Sequence, residues 1–129
     1  MESTPAPAAR LTILLVEDDP LIGLLLGEML ASLGHTVCPL AETEAAALIA
    51  VSVHHPDLMI VDAKLGDGSG VAVMTEILQT RFVPHIFMSG NPGLLRQQRP
   101  DAIFLQKPFD ERALLRAMHN ALTERGVTQ

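Results

Sequence analysis

Leu58-Met59-Ile60-Val61-Asp62 reads as a strand buried on both faces that stops at a carboxylate. Four apolar residues without alternation leave neither side for solvent, and Asp62 marks where the chain leaves the core. The same event recurs along the sequence. Ile13-Leu14-Leu15-Val16 ends in Glu17-Asp18-Asp19, His85-Ile86-Phe87-Met88 ends in Ser89, and Ala102-Ile103-Phe104-Leu105-Gln106 ends in Lys107. Laid parallel in one sheet, these strands gather carboxylates, a hydroxyl and an ammonium on one rim. Open α/β sheets place their sites at that C-terminal edge.

The intervening segments read as helices. Leu11–Val16 is the first strand, and Pro20 suits a first helical turn, with Asp18 or Asp19 as its cap. Leu21, Leu24, Leu25, Met29 and Leu33 recur at helical spacing before Gly34, and Gly23 and Gly27 allow close packing on the sheet. Thr36–Leu40 is a second strand that Pro39 places at an edge, and Glu42–Val53 a helix with Leu48 and Ile49 facing inward. Residues 63–70, with three glycines, indicate a tight, backbone-driven loop. Val71–Thr80 is a helix with Val71, Met74, Ile77 and Leu78 inward. Gly90-Asn91-Pro92-Gly93 resists helix, which leaves only Leu94–Gln98 for a short one. Asp110 caps a last helix carrying Leu114, Leu115, Met118 and Leu122. Strand and helix alternate five times, which with right-handed crossovers gives a doubly wound parallel sheet with helices on both faces.

At 129 residues the chain suits one domain with a substantial core. Hydrophobic content of 48% against 19% charged is globular, not disordered. A net charge of −6 argues against a basic nucleic-acid or membrane surface, and four Phe without Trp or Tyr give no base-stacking platform. Cys38, the only cysteine, lies in an apolar run and fits a buried thiol in a reducing cytoplasm. No secretory signal is evident, and Leu21 to Leu33 is too short, and carries Glu28, to span a membrane. Residues 1–9 read as a loose N-terminal tail and 125–129 as a C-terminal one. His54-His55 and the arginines 96, 99, 112 and 116 read as solvated or paired surface groups.

Carboxylates crowded at the rim repel: two at ~5 Å cost roughly 3 kcal/mol at an effective dielectric of about 20. A divalent cation held by hard oxygen ligands offsets this, and partly hydrated Mg²⁺ suits a site with few carboxylates. Such an ion beside a carboxylate, a hydroxyl and Lys107 is a set suited to phosphoryl transfer, with Asp62 as nucleophile.

With these residues in this order the chain resembles a response-regulator receiver domain, the CheY-like module of two-component signalling. The likeness runs roughly from Arg10 to Thr123, with the receiver unit at 10–124. It is carried by Glu17-Asp18 after the first strand, Asp62 after the third, Ser89 after the fourth and Lys107-Pro108 after the fifth. The resemblance implies a flavodoxin/CheY-like sheet of five parallel strands in the order 2-1-3-4-5. It implies that Asp62 accepts a phosphoryl group from a histidine kinase or histidine phosphotransfer protein. Asp18 and Asp62 would bind Mg²⁺ directly, with the Lys64 backbone carbonyl as third protein ligand and Glu17 acting largely through water. Ser89 matches the hydroxyl that bonds the phosphoryl group, and Lys107 the lysine that pairs with it. Phe104 falls where the family carries its switch aromatic, and the Lys107-Pro108 bond is expected to be cis. Such a domain is not an enzyme beyond its own phosphorylation and dephosphorylation, and it regulates a downstream protein.

Departures from the family pattern carry expectations of their own. Gly66 stands where Pro is common, and Ser69 where Asp or Asn precedes the glycine, here Gly70; both are expected to alter loop stiffness only. Lys64 and Asn91 flank the site at the two positions that set phosphoryl lifetime, so an unusual hydrolysis rate is expected. The fourth helix is shorter than usual, which argues against a homodimer through that face while leaving homodimerisation open. Pro84 to Asn91 resembles a receiver subclass whose fourth strand ends in a Phe-Ala-Thr-Gly-Tyr-like run. One alternative is a degenerate receiver that acts as a phosphorylation-independent interaction module. A flavodoxin-like binder is disfavoured because Glu17-Asp18-Asp19 repels phosphate, and a phosphatase because Lys64 stands where a second acid is needed.

Overall fold

The apolar runs that stop at polar residues all become strands of one sheet. The computed structural model describes residues 10–127. In chain order it contains β1 (Thr12–Val16), α1 (Pro20–Ser32), β2 (Thr36–Val37), α2 (Glu44–His54) and β3 (Leu58–Asp62). A small hairpin of β4 (Lys64–Leu65) and β5 (Gly68–Ser69) follows, then α3 (Gly70–Leu78), β6 (His85–Ser89), α4 (Pro92–Gln98), β7 (Ile103–Gln106) and α5 (Glu111–Val127). The central sheet has the order β2-β1-β3-β6-β7, parallel throughout. With β6 and β7 as fourth and fifth strands, this is the 2-1-3-4-5 order expected. The tails at 1–9 and 128–129 lie outside the described residues, while α5 continues to Val127, past the boundary expected at residue 124.

Successive strand residues point to opposite faces, so each apolar run feeds two cores. Leu14, Val16, Met59, Val61 and Phe87 pack with Ala47, Val51, Val73, Met74 and Ile77 of α2 and α3. Ile13, Leu15, Ile60, Ile86 and Met88 pack with Leu26, Leu30, Leu114 and Met118 of α1 and α5. Each fully buried Val, Leu, Ile, Met or Phe among them contributes about 1.5–3 kcal/mol. Cys38 is buried in the first core, as a structural thiol should be.

Several expectations are corrected. In α1 the buried positions are Gly23, Leu26 and Leu30, whereas Leu21, Leu24 and Leu25 are all more than half exposed. The segment is apolar nearly all round, so period alone could not choose its inward face. Gly23 does meet a neighbour closely: a Cβ there would lie 2.7 Å from Leu40 Cδ2, whereas one at Gly27 would make only ordinary contacts. In α2 the small Ala47 and the branched Val51 face the sheet, and Leu48 and Ile49 face out. Thr43 accepts the Ala46 N–H and caps this helix, which starts at Glu44 rather than Glu42. The second strand is only two residues long, although Ala41 forms one further bridge to Val16.

The Asn91-Pro92-Gly93 stretch starts α4 instead of preventing it. Asn91 accepts the Gly93 N–H and caps the helix, and Pro92 sits where a missing N–H costs nothing. Within the tight loop expected at 63–70, residues 64–69 form an antiparallel hairpin, with Lys64 opposite Ser69 and Leu65 opposite Gly68. Gly66 takes φ +54°, a left-handed conformation that a proline ring cannot adopt. The change from proline therefore alters the path of the loop and not only its stiffness. Ser69 accepts the Val71 and Ala72 N–H groups as cap of α3, a role that Asp or Asn could fill equally.

Candidate functional site

The parallel register places the strand ends side by side. Asp62 pairs with Met88 and Ser89 with Gln106, so Asp62, Ser89 and Lys107 leave the sheet at one rim. Backbone bonds continue the alignment past the strands, from Ala63 N–H to the Met88 carbonyl and from Lys107 N–H to the Ser89 carbonyl. The Lys107-Pro108 peptide bond is cis. On the other side, Glu17 N–H donates to the Ala41 carbonyl at 2.9 Å and fixes the turn out of β1.

Glu17 and Asp62 are the only buried charged residues among those described, at 1% and 7% exposure. Each of their carboxylate oxygens has an identified donor. Asp62 Oδ2 lies 2.7 Å from Lys107 Nζ, and its Oδ1 accepts the Lys64 N–H at 3.0 Å. Glu17 Oε1 lies 3.4 Å from the same Lys107 Nζ, and its Oε2 accepts the Asp19 N–H at 3.0 Å. Asp19, not Asp18, caps α1 by accepting the Leu21 N–H, which leaves the exposed Asp18 side chain for the rim. One oxygen each from Glu17, Asp18 and Asp62 can be taken within 4.8 Å of one another.

Three carboxylates and one ammonium do not balance. Burial pushes the Glu17 carboxyl up to about 7, with the Asp62 charge adding to the effect, while the Asp19 N–H and Lys107 partly oppose it. Burial by itself would lower Lys107, but its bond to Asp62 and the charges of Asp62 and Glu17 hold the ammonium above the ordinary lysine range. The cluster has the hard oxygen donors and the unmatched negative charge that a divalent cation such as Mg²⁺ requires.

The remaining residues singled out from sequence border this cluster. Ser89 is half-buried and its Oγ accepts the Asn91 N–H at 3.1 Å, a bond that does not use the hydroxyl proton. Lys64 and Asn91 are exposed on either side, on the hairpin and at the start of α4. Phe104 is half-buried, its ring 6.3 Å from that of the fully buried Phe87, with the Arg96 guanidinium 5.4 Å above it. Arg99 lies over Phe87 and donates to Thr75 Oγ1, so these two arginines of the short α4 region cap the aromatic pair. His54 and His55 are exposed, with His55 facing Arg81.

One contact had no sequence signal. Glu44, at the start of α2, accepts the Ser69 N–H of the hairpin at 2.7 Å across 25 residues of chain. Exposed Leu21 and Leu25 begin α1 beside the rim, and Leu25 shares a surface pocket with Met29, Lys107, Pro108 and Phe109. No helix of the described residues is long and apolar enough to cross a membrane.

Residues 13–119 match the family model for the response regulator receiver domain. The phyllosphere-induced regulator PhyR of Methylorubrum extorquens is 40% identical over 101 residues, covering 75% of this chain and 38% of PhyR. The solution structure of the PhyR receiver domain of Erythrobacter litoralis superposes with a TM-score of 0.78 at 35% identity, covering 88% of this chain and 91% of that one. The anti-anti-sigma factor PhyR of Bartonella quintana superposes with a TM-score of 0.84 at 30% identity, covering 94% of this chain and 51% of that one. The chain thus spans about half or less of these two longer PhyR proteins.

Proposed function

The chain belongs to the response-regulator receiver family, and from that premise we propose that it is a phosphoacceptor switch in which Asp62 receives a phosphoryl group. The observation that carries this is the Asp62 carboxylate itself. It is buried, held at both oxygens by Lys107 and the Lys64 N–H, and crowded by Glu17 and Asp18.

Asp18 and Asp62, the backbone carbonyl of Lys64 and, through water, Glu17 are the groups that would hold Mg²⁺. When bound, that ion supplies positive charge to the transferring phosphoryl oxygens and to the crowded carboxylates. A carboxylate oxygen of Asp62 forms the new P–O bond while the P–N bond to a donor imidazole breaks, its electron pair returning to the nitrogen. Lys107, already against Asp62 Oδ2, then pairs with the phosphoryl oxygens, and the Ser89 hydroxyl donates its unused proton to one of them. Movement of Ser89 toward the phosphoryl group opens room beside β6, and Phe104 turns toward it, leaving Arg96. This shifts a two-state equilibrium that a downstream protein reads. Lys64 and Asn91 flank the phosphoryl group and set its lifetime.

The donor is a histidine kinase or histidine phosphotransfer protein, and its site of approach is the apolar surface beside Lys107, formed by Ile22, Leu25, Met29 and Phe109. We place the receiver unit from residue 10 to the end of α5 at Val127, and the protein in the cytoplasm. The name anti-anti-sigma factor belongs to a protein twice as long as the match, so only its receiver half is carried over to this chain. Incubation with Mg²⁺ and acetyl phosphate, followed by intact-mass measurement, tests the proposal. One phosphoryl adduct is expected, absent in Asp62→Asn and without Mg²⁺. No adduct on the wild type, or an adduct that survives Asp62→Asn, would leave only an interaction module of the same fold.

A further inference from the structure

The start of α2 is tied to the rim from two sides. Before it, Ala41 bridges the end of β1, through Ala41 N–H to the Leu15 carbonyl and Glu17 N–H to the Ala41 carbonyl. Beyond it, the half-buried Glu44 carboxylate reaches the hairpin and accepts the Ser69 N–H at 2.7 Å. The hairpin is shaped to receive it. A Cβ at Gly68 would lie 2.5 Å from Glu44 Oε2 and 3.0 Å from its Cγ and Cδ, so only glycine lets this carboxylate rest there. Ser69 is the cross-strand partner of Lys64, whose N–H holds Asp62 Oδ1.

We propose that Glu44 is a positioning residue: its bond to Ser69 fixes the β4–β5 hairpin, and with it the Lys64 backbone whose carbonyl would serve the cation. This rests on the assignment of that cluster as a Mg²⁺ site. A bland role exists for an acid in the first turn of a helix, since it complements the helix dipole. That role predicts no effect on the hairpin, and the Gly68 cradle has no part in it. Outer groups that orient a metal's ligands typically alter affinity by about 10-fold or more when removed.

The test is a Mg²⁺ titration of ¹⁵N-labelled protein at pH 8 and constant ionic strength, with amide exchange at Ser69 followed in parallel. Glu44→Ala removes both bond and charge, Glu44→Gln keeps an acceptor but removes the charge, and Gly68→Ala keeps the charge but displaces the carboxylate. Glu44→Ala and Gly68→Ala should each bind Mg²⁺ about 10-fold more weakly and lose Ser69 protection. Glu44→Gln should stay within about threefold of the wild type, because a neutral acceptor retains much of the bond. Wild-type affinity in Gly68→Ala, or a loss in Glu44→Gln as large as in Glu44→Ala, would show charge acting through space and overturn the proposal. A wild type that binds no Mg²⁺ would overturn the site assignment and this proposal together. Normal binding by the wild type with unchanged variants would sink the positioning role alone. Gly68→Ala keeps the test open if Glu44→Ala fails to fold, since it moves only the end of a flexible side chain.

Discussion

Replacing Glu17 with glutamine should stabilise the metal-free protein at pH 8. Glu17 is almost wholly buried, and its carboxyl holds a proton up to about pH 7 against an ordinary value of 4.5. At about 1.4 kcal/mol per pH unit, keeping it ionised inside the fold costs up to roughly 3 kcal/mol. The Asp19 N–H offsets part of this, and a glutamine oxygen can accept the same bond, so a gain of about 1–3 kcal/mol is expected. In urea, with a slope of about 1–3 kcal/mol per molar, the unfolding midpoint followed by circular dichroism in EDTA should rise by roughly 0.5–1.5 M. The effect has a signed pH dependence. A carboxyl raised in the fold takes up its proton more readily than in the unfolded chain, so wild-type stability from this group falls as pH climbs from 4.5 through about 7. The glutamine variant lacks that fall, so the gap between the two should be widest at pH 8 and close toward pH 5. Saturating Mg²⁺ should stabilise the wild type more than the variant. A variant no more stable than wild type in EDTA at pH 8, or a gap that does not change with pH, would refute the reasoning. The crowded carboxylates would then already be satisfied by the protein alone.

Other consequences can be checked separately. Leu25→Glu, on the exposed face of α1, should slow phosphotransfer from a protein donor by about tenfold or more while leaving labelling by acetyl phosphate unchanged; equal loss with both donors would place Leu25 outside the docking surface. Gly70→Ala would bring a Cβ within 2.1 Å of the Asp62 carbonyl oxygen and 2.5 Å of Val61 Cγ1, so urea denaturation should show a loss of about 2–4 kcal/mol. A cost below about 1 kcal/mol would mean that the β3–α3 connection relaxes freely. His85 is half-buried, and desolvation holds its pKa below the ordinary 6.5, with its bond to the Val83 carbonyl opposing and the Arg99 charge contributing. Its share of stability is therefore present above pH 6.5 and lost as pH falls toward the folded value, and His85→Phe should flatten that part of the stability profile. Identical profiles in wild type and variant would remove His85 from the acid response.

The rim was legible because its side chains directly follow runs that can only be strands. Asp62, Ser89 and Lys107 are each within a residue of such an end, and parallel order did the rest. The helix faces were less legible. In Pro20–Ser32 nearly every residue is apolar, so the sequence offers no polar side to mark the outside, and Leu26 and Leu30 could not be preferred over Leu21 and Leu25. In α2 the inward residues are Ala47 and Val51, whereas the larger Leu48 and Ile49 carry the stronger apolar signal from outward positions. Pro92 occupies the same helix-start position as Pro20, but the flanking glycines mask the signal. The Glu44–Ser69 bond had no local signature at all, because it joins segments that meet only once the sheet has formed.

The two borders of the sheet are unequal. β2 exposes two residues beside Pro39, whereas β7 presents four between α4 and α5. Lateral recruitment of another polypeptide through main-chain amides is thus confined to the β7 margin. A molecule with one competent margin can join a twin across a two-fold axis and then has nothing left to offer a third. Should this protein self-associate by sheet extension, growth terminates at a pair.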